Sequence, residues 1–158
     1  MNNDDKKQNE LIQRALANIN ASEDPLALER IYRNAMTQNN EEVARAAQRK
    51  LYSILPTAEP GSLEHDVWQS IYALEGALTE ERGKTTRLSR TRQKITRDGE
   101  TITVADLVMK PASEGYRMLL ERNMHELTFE SVALRHAAVF PAEVLEKATQ
   151  RLTASGRL

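Results

Sequence analysis

The sequence predicts an all-α protein, and three observations carry this prediction. Apolar residues recur at steps of three and four through most of the chain, the spacing of one helix face. Residues that cap helix N-termini stand before several of these runs. Little of the chain has the alternating pattern of a strand. We therefore expect a three-helix N-terminal unit, a long central helix and a C-terminal cluster of short helices.

The N-terminal unit is expected to cover residues 7–55, preceded by a polar and disordered tail over 1–6. Either Ser22 or Asp24 can cap the second helix, and Pro25 suits its first turn. Short polar turns separate the three apolar runs, which favours antiparallel neighbours. The expected helices cover about 7–20, 25–37 and 41–55.

The clearest break in the chain is PTAEPG at 56–61, where two prolines and a glycine bar a continuous helix. We expect a linker there. The central helix follows, capped by Ser62 and reaching about Ile95, which gives a length of roughly 50 Å at 1.5 Å per residue. Together with the C-terminal cluster it is expected to span 62–154, with a loose tail at 155–158.

Residues 95–104 support two structures. Asp98-Gly99 between β-branched residues is typical of a hairpin turn. The same stretch is consistent with a helix that ends at the glycine, followed by a helix capped by Thr103. We favour the second structure because the strands of a hairpin would be very short. Two further helices are expected to be capped by Ser113 and Thr128, and a third is expected to have Pro141 in its first turn.

Composition restricts the setting and the chemistry. The 158 residues include no cysteine, which excludes disulfides and thiolate metal sites and fits a reducing compartment. The N-terminus lacks the apolar core of a signal peptide, and no apolar run approaches the roughly 18 residues of a membrane span. We expect a cytoplasmic protein with no membrane contact.

Charge is distributed unevenly along the chain. The net charge is only −1, yet residues 82–97 hold seven basic residues and no acidic one. Without this basic segment, 15 basic and 23 acidic residues remain, a net charge of −8. Such an asymmetry is informative about binding partners.

The basic segment predicts a nucleic-acid interface. On a helix, Arg87, Arg90, Lys94 and Arg97 would fall within about 80° of arc, beside an apolar stripe that packs on the protein. Arginine suits phosphate because its planar guanidinium bonds two oxygens at once. Duplex DNA is the expected ligand and RNA is possible, with Gln93 available to reach a base edge. The predicted phosphate contacts are Arg82, Lys84, Arg87, Arg90, Arg92, Lys94 and Arg97.

A second class of function uses the same residues. The basic face of a helical adaptor or inhibitor would bind an acidic protein or a second copy of the chain. The long amphipathic helix and Trp68 suggest a two-fold seam, and hence a homodimer.

The remaining motifs give weaker support for a function than the basic segment does. GKTT at 83–86 resembles the end of a P-loop, but Leu78 stands where that motif needs a glycine. His65, His125 and His136 are too scattered to predict a metal site. Residues 104–122 resemble a helix-turn-helix, but its second helix is acidic. We therefore predict no catalytic residue, metal or cofactor and favour a protein that is not an enzyme.

Overall fold

The computed structural model describes residues 2–158, and these form nine α-helices and two short 3₁₀ helices, with no strand among them. The all-α prediction is confirmed. The chain divides between Leu55 and Pro56 into two compact units, here called unit 1 (up to Leu55) and unit 2 (from Pro56). The division falls at the start of the proline-rich segment 56–61. Met1 lies outside the described residues.

Unit 1 is a bundle of three helices with a small aliphatic core. Asp24 accepts a hydrogen bond from the N–H of Leu26 and caps the second helix, with Pro25 at its first position. Asn40 caps the third helix by accepting from Val43. The helices are α1 (Asn3–Ala21), α2 (Pro25–Thr37) and α3 (Glu41–Ile54). Their buried faces meet at Ile19, Leu28, Ala35, Val43, Ala44 and Ala47.

Helix α1 begins four residues before the predicted position, so the disordered tail over 1–6 was wrong for Asn3 onward. A capping box starts the helix, because the side chain of Asn2 accepts from the N–H of Asp5 at 2.8 Å while the Asp5 carboxylate accepts from the N–H of Asn2. The carboxylates of Asp4 and Asp5 also lie at the positive end of the helix dipole.

Unit 2 is built around the central helix α4 (Leu63–Arg82), which Ser62 caps through the N–H of His65. Val67, Ile71 and Ala73 of α4 are almost fully buried, and the helix packs against three later helices. The elements after α4 are α5 (Ser89–Asp98), α6 (Glu100–Met109), α7 (Glu114–Glu121), α8 (Phe129–Arg135) and α9 (Ala142–Ala154), with 3₁₀ turns at His125–Leu127 and Ala137–Val139; the three that pack against α4 are α6, α7 and α8.

The central helix is shorter than predicted. It ends at Arg82, because Gly83 adopts φ 70° and closes the last turn by donating to the carbonyl of Thr79 at 2.9 Å. Its 20 residues give a length of about 30 Å. Residues 83–88 form a loop, and the rest of the basic segment lies on a separate helix, α5. Most apolar residues of α4 are buried within unit 2, whereas Trp68 and Tyr72 lie beside each other half-buried, and Trp68 Nε1 donates to Glu100. The two-fold seam through Trp68 stays a prediction.

The segment 95–104 contains a helix junction and not a hairpin. Gly99, at φ 88° and ψ 168°, is the only residue between α5 and α6. Thr103 was predicted to cap the next helix, and this was wrong: it lies inside α6, where its hydroxyl donates to the carbonyl of Gly99 at 2.8 Å. Because glycine tolerates this positive φ, Gly99 serves both as the C-cap of α5 and as the N-cap of α6.

The C-terminal residues are not loose. The N–H groups of Gly156 and Arg157 bond to the carbonyls of Thr153 and Leu152, which is a Schellman closure of α9. The guanidinium of Arg157 then donates to Asn123 Oδ1 at 2.9 Å, at the end of α7. None of the helices in the described part of the chain combines the length and the apolar character that crossing a membrane requires.

Candidate functional site

The basic segment lies at the corner between α4 and α5. Its loop, 83–88, is tied down at two points on α4. The N–H of Thr86 donates to Thr79 Oγ1 at 3.0 Å, and the N–H of Leu88 donates to Glu75 Oε2 at 2.8 Å. The side chain of Leu88 packs on the apolar core of unit 2. The loop therefore presents its cations from a fixed backbone.

Arg92, one of the predicted phosphate contacts, is paired with a carboxylate inside unit 2. Its Nε and Nη2 donate to the two carboxylate oxygens of Glu75 at 2.8 and 2.7 Å. The guanidinium carbon also lies 5.2 Å from the centre of the Trp68 ring and 5.6 Å from that of Tyr72. Hydrogen bonding to Glu75 raises the pKa of Arg92. This side chain joins α5 to α4, and a phosphate would have to displace Glu75 to reach it.

Lys94 and Arg97 lie on the expected outer face of α5, but carboxylates neutralise both. Lys94 Nζ is 2.7 Å from Asp106 Oδ2 and 3.0 Å from Asp98 Oδ2. Arg97 donates two hydrogen bonds of 3.0 Å to Asp98. Hydrogen bonds from Arg97 and Lys94 lower the pKa of Asp98 to about 2, and those to Asp106 and Asp98 raise the pKa of Lys94. A polyanion would have to displace these carboxylates to reach either cation.

Arg82 is only loosely engaged. Its guanidinium is 3.5 Å from Glu114 Oε2, and both side chains are about half exposed. Surface pairs of this kind contribute little to stability and are easily exchanged. Two acidic residues just before it, Glu80 and Glu81, lie within 3.6 and 3.3 Å of the guanidinium of Arg122.

Three predicted residues remain exposed and have no carboxylate partner among the described residues: Lys84, Arg87 and Arg90. We call them the cationic corner. Lys84 and Arg87 lie in the loop, and Arg90 lies in the first turn of α5, where no side chain caps the helix. Gln93 is also exposed, one turn further along the helix. Of the seven predicted cations, three therefore have no carboxylate partner among the described residues, and Arg82 has only a loose one.

Sequence reasoning missed the carboxylates that neutralise the others. Asp98 stands four residues after Lys94, a spacing at which opposite charges on a helix pair, so this partner was readable from the sequence. Glu75 is 17 residues from Arg92 and lies on another helix. No local pattern predicts that contact.

A histidine–carboxylate pair is the other polar cluster that the sequence did not predict. His136 Nε2 is 2.7 Å from Asp66 Oδ2, and Arg135 Nε is 3.4 Å from the same oxygen. Burial raises the pKa of Asp66, but hydrogen bonds from His136 and Arg135 outweigh this and lower it below its ordinary value. The cluster joins the first turn of α4 to the end of α8. Within residues 2–158, no three His, Asp or Glu side chains are grouped so that they would hold a metal ion.

The two remaining motifs take ordinary structural roles. Gly83 of GKTT follows a helix, whereas a P-loop glycine follows a buried strand. The second helix of the helix-turn-helix candidate, α7, has Arg117 paired to Glu121 at 2.6 Å, with Glu114 3.7 Å away on the same surface. That surface would repel phosphates.

In comparisons with known proteins, no family model matches the chain, and no curated protein or solved structure is significantly similar to it.

Proposed function

We propose that this protein binds the phosphate backbone of a nucleic acid, with duplex DNA as the first candidate, through the cationic corner. The observation that carries the proposal is that Lys84, Arg87 and Arg90 are exposed, close in sequence and without a carboxylate partner among the described residues. Binding by these side chains requires no internal ion pair to break.

The surroundings of the corner favour an anion. The start of α5 carries the positive end of the helix dipole, and its N-cap residue Leu88 supplies no side-chain cap, although the Glu75 carboxylate accepts from the N–H of Leu88. Thr85 and Ser89 are exposed between the cations, and small hydroxyl groups are common phosphate contacts. Glu80 and Glu81, the acidic residues nearest to the loop in sequence, form ion pairs with Arg122, which offsets part of their negative charge.

The number of free cations sets the expected salt dependence. Binding constants for duplex DNA fall with salt at a log–log slope of about −0.9 for each phosphate neutralised. Three contacts give a slope near −2.7, and seven would give about −6. Binding by the corner alone is therefore weak and largely independent of sequence, unless Gln93 reaches a base edge.

A titration of fluorescent duplex DNA between about 50 and 200 mM salt tests the proposal. Replacing Lys84, Arg87 and Arg90 by Ala is expected to remove the salt-sensitive binding. The matched control replaces Arg14, Arg30 and Arg33, three exposed arginines of unit 1, and removes the same charge. That control is expected to keep the slope. Equal losses in the two variants would show that net charge alone drives binding and would contradict the proposal.

A second function is favoured by a separate observation. Ile102 and Met109, seven residues apart on one face of α6, are 53% and 43% exposed. Exposed apolar side chains in the same unit as a basic surface suit an acidic protein partner better than a phosphate backbone. If duplex DNA and RNA both fail to bind at micromolar protein, the adaptor function replaces the first proposal. Ile102→Ser with Met109→Ser would then weaken partner binding and leave the fold intact.

A further inference from the structure

Unit 2 contains a cavity of about 320 Å³ beside the α4–α5 corner. Its volume is at the lower end of the range found for small-molecule sites, about 300–1,000 Å³. Most of the wall is apolar, with Leu74, Leu78, Leu107, Leu119 and Phe129 contributed by four helices. At about 30 Å³ for each water-sized group, the cavity has room for roughly ten heavy atoms.

One part of the wall is a buried ion pair. Arg151 Nη1 donates to Glu130 Oε1 at 2.7 Å, and the two side chains are only 10% and 7% exposed. Arg151 also donates to the carbonyl of Lys110 and lies 6.0 Å from the ring centre of Tyr116. Because both charges are satisfied by each other, this pair adds polarity to the wall but no net charge.

Lys110 gives the cavity lining its net positive charge. Its side chain is exposed, and its ammonium has no carboxylate partner among the described residues. The other lining charges balance, since Arg151 is matched by Glu130 and Arg82 by Glu114. The lining therefore carries a net charge of +1 beside an apolar chamber.

We propose that this cavity binds a small amphipathic monoanion, a carboxylate with an apolar body of about eight carbons. The apolar body would occupy the space between the leucines and Phe129, and the carboxylate would bond to Lys110. Ser113 also lines the cavity and would supply a hydroxyl group to the same head group. The site does not depend on nucleic-acid binding, although Arg82, Leu88 and Thr91 belong to both the basic segment and the cavity wall.

Calorimetric titration of the full chain with octanoate, octan-1-ol and octylammonium tests the proposal. The three probes have unbranched alkyl chains of seven or eight carbons and differ in charge. Octanoate is expected to bind about two- to fivefold more tightly than the alcohol, the range for an ion pair with an exposed ammonium. Octylammonium is expected to bind most weakly, since Lys110 repels it.

Two substitutions separate the head-group contact from the chamber. Lys110→Ala is expected to weaken octanoate binding about two- to fivefold and to leave octan-1-ol binding unchanged. Thr91→Phe, which adds an aromatic ring at the cavity lining, is expected to abolish binding of both. Lys147→Ala, which removes the same charge from α9 away from the cavity lining, is the matched control and is expected to change neither.

The proposal is overturned if octanoate does not bind, or if it binds no more tightly than octan-1-ol. It is also overturned if Lys110→Ala and Lys147→Ala behave alike. Circular dichroism melting establishes whether Thr91→Phe is folded; if it is not, the exposed Lys110 alone decides the outcome.

Discussion

A single carboxylate, that of Glu75, fixes two parts of the basic segment. It accepts from the N–H of Leu88 and from two nitrogens of Arg92, and it is 8% exposed. A buried charge that loses its partner costs several kcal/mol, whereas removing both charges together is often nearly neutral. The contacts of Glu75 with Leu88 and Arg92 therefore stabilise the folded structure where the loop meets α5.

Glu75→Gln is expected to lower the free energy of unfolding by roughly 2–4 kcal/mol, because Arg92 is left without its counter-charge. Arg92→Met alone is expected to cost a similar amount. The double variant is expected to cost clearly less than the sum of the two, as contacting residues do in a double-mutant cycle. Urea denaturation measures all three, and additive losses would contradict the coupling.

Asp98 gives the protein a pH dependence of known sign. Its pKa is lowered to about 2 by Arg97 and Lys94, while an unfolded Asp titrates near about 3.9. A lowered pKa contributes stability that is present above the unfolded value and is lost as the pH falls through the folded value. The contribution of Asp98 is thus complete above about pH 5 and disappears toward pH 2.

Asp98→Asn is therefore expected to lower the urea midpoint at pH 6 and to have little effect at pH 2. Measuring the midpoints of both proteins across this range checks the sign. A difference that grows as the pH falls would contradict the assignment.

At the scale of the helix, α5 shows how position on a face differs from availability. Arg90, Lys94 and Arg97 share one face, as the helical period predicts. Only Arg90 is free of carboxylates, because Asp98 and Asp106 neutralise the other two. Periodicity predicts which residues lie together, but it does not predict what packs beside them.

Removing those two carboxylates should enlarge the interface. Asp98→Asn with Asp106→Asn frees Lys94 and Arg97, so five phosphate contacts become possible and the salt slope is expected to steepen from about −2.7 to about −4.5. The control, Glu143→Gln with Glu146→Gln, removes two negative charges from α9 outside the basic segment. An equal steepening in the control would mean that the effect is one of total charge.

Helix starts were largely predictable from the sequence, because capping is a local interaction. Asp24, Ser62, Ser113 and Thr128 each cap the helix that follows them. The helix end at Gly83 was missed because a glycine inside a helix costs only about 1 kcal/mol relative to Ala. Tertiary packing can outweigh so small a cost, so the glycine alone does not show whether the helix continues or ends. The ion pair of Arg92 was missed because its partner lies on another helix.

At the scale of the whole molecule, the two units have separate apolar cores. Every residue of the cationic corner and of the cavity belongs to unit 2. Unit 1 is a bundle of little more than 50 residues, near the size at which a single core is marginally stable.

A fragment of residues 56–158 is expected to fold alone and to bind duplex DNA with the same salt slope as the full chain. Circular dichroism and the DNA titration measure the two properties. An unfolded fragment would mean that unit 2 depends on unit 1, and a folded fragment with a flatter slope would place part of the interface in unit 1.

The one-residue junction at Gly99 has a consequence for the cost of binding. The N–H of Gly99 donates to the carbonyl of Ile95, and its carbonyl accepts from Thr103, so α5 is held in a fixed orientation relative to α6. Helix α6 is itself anchored in the core by Val104 and Val108, which are fully buried. A ligand that grips the start of α5 then orders side chains only, at about 0.5–1.5 kcal/mol for each long one. Little conformational entropy of the backbone remains to be lost in forming the complex.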